Sequence, residues 1–154
     1  MTKDITDRKL ILFFSILLVL FLIGVFLHIK MNKSYDEFID MNWSIKLPKP
    51  YKEIYSADSG LGSIEDSERY HIFKYKKEDI EFFSQWESGK NTEIELDVEK
   101  ILADLNIESE YIPDFELKYK YCSKKGQDFS KIYLIFFPDI NRLYVIEDFL
   151  LELK

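Results

Sequence analysis

The sequence predicts an α+β fold: an antiparallel sheet with two packing helices, carried behind one N-terminal transmembrane helix. Three observations lead there. Residues Leu10 to Ile29 contain no charged side chain, and seventeen of the twenty are Leu, Ile, Phe or Val. Val98, Ile101, Leu102 and Leu105 recur at helical spacing, and the C-terminal third alternates and turns as a β-meander does. The chain divides accordingly into a short tail (1–9), the transmembrane helix (10–29), a juxtamembrane segment (30–42) and an α+β domain (43–154).

A twenty-residue helix rises about 30 Å, the thickness of a hydrocarbon core. The run is apolar on every face, whereas a core helix carries a polar stripe toward solvent. Only Ser15, Gly24 and His28 interrupt it, and Lys9 and Lys30 bracket it. It exceeds the roughly 7–15 apolar residues of a cleavable signal, and Leu27-His28-Ile29-Lys30 offers no small-residue cleavage site. The segment therefore reads as a retained anchor. Lys3, Arg8 and Lys9 crowd the first nine residues, which places the N-terminus in the cytoplasm and the C-terminal domain outside. The one cysteine, Cys122, cannot form an internal disulfide.

Beyond the span, 21 of the 25 aromatic residues remain to build a core. Removing the three basic and two acidic residues before Leu10 leaves 18 positive against 26 negative charges, a net −8. Such a surface repels phosphate backbones and anionic headgroups, which argues against nucleic acid as a partner. Three arginines in the whole chain leave little for bidentate phosphate recognition.

Ser34 and Glu37 have capping-box spacing, with Tyr35, Phe38 and Ile39 on one face of a short amphipathic turn or of a continuation of the membrane helix. Trp43, Ile45 and Leu47 alternate with Ser44 and Lys46 as a half-buried strand, ended by Pro48 and Pro50. Tyr51 to Tyr55 forms a second extended piece. Residues 56–68, with two glycines, four serines and four acids, form a loop. Strand character returns over Tyr70–Tyr75. A helix over Lys77–Ser88 presents Ile80, Phe82, Phe83 and Trp86, with Gly89 as its stop. A second helix starts from Asp97 as N-cap, or a few residues earlier. Leu117, Tyr119 and Tyr121 alternate with charges, Lys125–Asp128 turns, and Ile132–Phe137 is continuously apolar, as a strand covered on both faces should be. Leu143–Ile146 completes the meander, and the helix pair is placed on one face of the sheet.

Candidate chemistry is sparse. His28 and His71 fall in different parts of the fold. A Cys122–His71 dyad requires their strands to be neighbours. No glycine-rich phosphate loop, H-E-x-x-H, G-x-S-x-G or C-x-x-C occurs. Asp58, Glu65, Asp66 and Glu68 in the acidic loop are oxygen ligands of the kind Ca²⁺ takes, although their spacing is not that of an EF-hand and solvated surface is the default. The sequence points to no cofactor. It favours a non-enzymatic, membrane-anchored protein that binds another envelope or secreted protein with a basic surface, as an accessory or immunity-type module. A membrane-tethered ligand- or cation-sensing domain is the alternative, and a hydrolase comes third.

Overall fold

The computed structural model describes residues 15–25, 34–50, 52–59 and 68–149. Helix α1 (15–25) is followed by α2 (Tyr35–Trp43), β1 (Lys52–Asp58), β2 (Arg69–Lys74), a 3-10 helix (Lys77–Gln85) and β3 (Glu87–Ser88). Then come α3 (Thr92–Asp104), a 3-10 turn (Ser109–Tyr111), β4 (Lys120–Lys125), β5 (Lys131–Phe137) and β6 (Arg142–Asp148). The fold is α+β, and its six strands form one sheet in the order β1-β2-β6-β5-β4-β3. Every neighbouring pair is antiparallel.

The meander β4-β5-β6 forms as the sequence predicts. The hairpin β1-β2 joins it through β2 and β6, which pair from Arg69↔Glu147 to Lys74↔Arg142. Residues 56–58, predicted as loop, extend β1.

The helices do not share one face of the sheet; they lie on opposite faces. Ile94, Val98, Ile101 and Leu102 of α3 join Tyr70, Ile72, Tyr133, Ile135, Phe137, Tyr144 and Ile146 in one core. Ile39 and Trp43 of α2, with Phe83 of the 3-10 helix, join Phe73, Ile132, Leu134, Phe136, Leu143 and Val145 in the other. The reason lies in β5. A strand with apolar side chains at both parities exposes one row of them unless both faces are covered.

Several local assignments change for identifiable reasons. Trp43 ends α2 and does not begin a strand: Tyr35, Ile39 and Trp43 stand at i, i+4 and i+8, and that helical spacing prevails over the alternation into Ile45 and Leu47. Ser44 closes the helix at φ 51°, its N–H donating to the Asp40 carbonyl. The segment over 77–85 is 3-10, not α, consistent with the three-residue spacing of Ile80, Phe83 and Trp86. Asn91, not Asp97, caps α3, its side-chain oxygen accepting the Ile94 N–H at 3.2 Å. Residues 117–119 precede β4 because Asp114 folds the chain there, accepting the Glu116 and Leu117 N–H groups.

Among the described residues no helix is long and apolar enough to cross a membrane. Residues 10–14 and 26–29 of the predicted span lie outside the described residues. In α1 itself, every large apolar side chain from Ile16 to Val25 is between 40% and 66% exposed.

Candidate functional site

The alternation along β6 sends Leu143 and Val145 to the α2 face, and the same parity carries Glu147 inward. Glu147 has no solvent exposure and is the one fully buried carboxylate among the described residues. Both of its oxygens are occupied. The Tyr35 hydroxyl donates to Oε2, and the Trp43 indole N–H donates to Oε1 at 2.5 Å. Both donors come from α2, one at each end, so a single carboxylate fastens that helix to the sheet. Burial raises the pKa of Glu147 above the ordinary glutamate range, while the Tyr35 and Trp43 hydrogen bonds and the Arg69 charge oppose the shift. The Tyr35 phenol is pushed well above its usual value, by burial first and then by the Glu147 charge.

Around this pair β1 and β2 contribute further polar groups. His71 stacks on Tyr35 with ring centroids 3.7 Å apart, and its Nδ1 lies 2.6 Å from Glu53 Oε1. Burial lowers the imidazole's pKa, against the raising influence of Glu53. The Arg69 guanidinium sits over Phe38 and Phe149, 5.0 and 5.2 Å from their centroids. Tyr35, Ser56, Asp58, Arg69 and His71 line an open cleft of about 330 Å³ there. The cluster joins α2, β1, β2 and β6 through one connected set of polar and stacking contacts.

A second polar cluster lies on the α3 face. Asp97 accepts from Lys131 at 2.8 Å and from the Tyr133 hydroxyl at 2.5 Å. These bonds, the Lys131 bond foremost, hold the Asp97 carboxyl below its usual range. Burial, and then the hydrogen bond to Asp97, push the Tyr133 phenol up to about 12.

The predicted ligands are only partly placed. Asp58 ends β1 and Glu68 precedes β2, where the Ser59 N–H donates to the Glu68 carbonyl and closes the hairpin. Glu65 and Asp66 lie outside the described residues. Among the described residues no three acid, His or Cys side chains gather as a metal-ligating group. His71 and Cys122 share one cross-sheet row, His71↔Val145↔Leu134↔Cys122. Three strand spacings separate them, about 14 Å, so they form no dyad. His28 lies outside the described residues.

Glu147, Tyr35 and Trp43 were not singled out by sequence reasoning. The signal was present in β6, because an acid two residues beyond Val145 on a buried strand points into the core. Comparison with protein-family models, with curated proteins and with solved structures finds no match.

Proposed function

We propose that this chain is a non-enzymatic, single-pass membrane protein whose acidic α+β domain binds another protein at the cell envelope. The observation that carries the reading is α1, a helix whose apolar side chains from Ile16 to Val25 are all at least 40% exposed, although the sheet behind it has its own two cores. An apolar surface running around a helix favours lipid over water, each buried large side chain contributing on the order of 0.5 kcal/mol. With residues 10–14 and 26–29 continuing the uncharged run, the segment has the length of a span. The basic N-terminal tail favours a cytoplasmic N-terminus and an outer C-terminal domain.

The net −8 beyond the span favours a partner with a basic face, since opposite charge accelerates encounter and salt screens it over about 10 Å. The test is fractionation followed by crosslinking of the full chain. The protein should stay with membranes through alkaline carbonate, and protease added to wall-stripped cells should digest its C-terminal domain. Crosslinking should then capture a basic envelope or secreted protein, less of it as salt rises. Release by carbonate would end the anchor reading. An acidic partner, or capture indifferent to salt, would end the electrostatic one.

A further inference from the structure

Two buried oxygens where α2 meets the end of β2 have no hydrogen-bond partner among the described residues: the Tyr75 hydroxyl and Asp36 Oδ1. Tyr75 follows Phe73 at the same parity, so its ring enters the α2-face core between Phe83 and Phe136 and is only 2% exposed. Tyr35 lies on Phe73 with ring centroids 5.7 Å apart, which seats the first turn of α2, and Asp36 with it, over this end of β2. Asp79 arrives from the first turn of the 3-10 helix, where its Oδ2 accepts the Lys76 N–H at 3.4 Å, one residue from Tyr75. Asp36 and Asp79 are the charges that face the Tyr75 phenol. They add to burial in holding it protonated above the usual tyrosine range.

The junction carries more negative charge than its own groups can answer. The Lys76 ammonium lies 3.5 Å from Glu78. The single proton of Tyr75 can serve one carboxylate oxygen and cannot neutralise two carboxylates. Buried oxygens without partners are costly. A water molecule would supply hydrogen bonds but no charge, whereas a hard cation supplies what all three oxygens lack. Carboxylates with a neutral oxygen and water are ligands that Ca²⁺ takes in flexible geometry.

We propose that Asp36, Asp79 and the Tyr75 hydroxyl oxygen form a Ca²⁺-binding site that clamps α2 to the 3-10 helix. Two carboxylates are a low charge count, which sets the expected Kd at about 10⁻⁴–10⁻³ M, the range of extracellular modules. The site is separate from the acidic loop over 56–68. The inference goes beyond the preceding reading and stands whether or not α1 lies in a bilayer.

The experiment follows thermal unfolding and calorimetric Ca²⁺ titration of the full chain in detergent micelles, against a chelator baseline. About 10 mM Ca²⁺ should raise the melting temperature by about 3 °C or more, since a ligand bound only to the native state stabilises it by mass action. K⁺ at the same ionic strength should not. Asp36→Asn and Asp79→Asn should each weaken Ca²⁺ binding at least about tenfold, as expected for lost charged ligands. Each removes a charge from the junction, so in chelator these variants should melt no lower than the parent, which separates lost binding from lost folding. Tyr75→Phe should likewise melt no lower in chelator and gain less from Ca²⁺, while Asp58→Asn in the acidic loop should respond as the parent does. No rise with Ca²⁺, an equal rise with K⁺, a full response in Asp36→Asn or Asp79→Asn, or a response lost in Asp58→Asn would each overturn the proposal. So would a Tyr75→Phe variant that is destabilised in chelator, because its hydroxyl would then already be bonded.

Discussion

The indole N–H of Trp43 donates to the carboxylate of Glu147, a residue 104 positions further along the chain, at 2.5 Å. This contact, with its companion from Tyr35, ties the first helix of the domain to the last strand of the sheet.

Trp43→Phe should therefore cost more than the lost aromatic area. It leaves a buried carboxylate oxygen without its donor, a loss of about 1–3 kcal/mol. Tyr35→Phe should cost a similar amount, and a double-mutant cycle should show the two coupled through Glu147. Urea unfolding of all four proteins checks this; strict additivity would mean the carboxylate is not their common acceptor.

Glu147 also sets a pH dependence. Its folded pKa is raised, so the unfolded state gives up this proton first as pH rises. Below the ordinary glutamate range the group is neutral in both states. As pH climbs from there through the raised folded value, stability is lost. Glu147→Gln keeps an acceptor and removes the titration, so the melting temperature of the variant minus that of the parent should increase toward neutral pH. A difference that shrank as pH rose would reverse the assignment.

Tyr75 has a buried hydroxyl without a hydrogen-bond partner among the described residues, packed against Phe83 and Phe136. Tyr75→Phe removes that unsatisfied group and keeps the ring, and should stabilise the protein by about 1 kcal/mol. A loss of similar size in thermal unfolding would mean that the hydroxyl is bonded.

Asp97 and Lys131 pair at 2.8 Å with side chains 37% and 35% exposed, so solvent screens them. The depressed Asp97 pKa contributes stability that is complete above the unfolded carboxyl value and lost as pH falls through the folded one. Asp97→Asn should cost no more than about 1 kcal/mol at neutral pH, and less in high salt. A larger, salt-insensitive cost would place the Tyr133 hydroxyl, not Lys131, at the centre of the interaction.

The meander was legible because Ile132–Phe137 and Leu143–Ile146 are long, apolar and separated by Pro138 to Asn141, so local pattern and final burial agree. The same continuity in β5 already required cover on both faces, which a helix pair on one side cannot supply. Two periodicities overlap on Trp43, and the contacts that favour the helical one, the α2-face core and the Glu147 carboxylate, lie far along the chain. The Glu147 cluster itself depends on contacts spanning more than a hundred residues, which no local window contains. The separation of His71 from Cys122 likewise depends on strand order, since β6 and β5 lie between their strands.

That strand order governs when the domain can exist. Strand β6 is the last to be synthesised, yet it sits between β2 and β5. Until it leaves the ribosome, hairpin β1-β2 and hairpin β4-β5 have no shared partner, and α2 waits for a carboxylate still being made. Domains emerge at about 5–20 residues per second, so the early pieces persist for seconds as separate fragments. Assembly is then a single closing event rather than an accretion from the N-terminus. A nascent chain stalled just before Arg142 should remain open to protease, while one released after Asp148 should not.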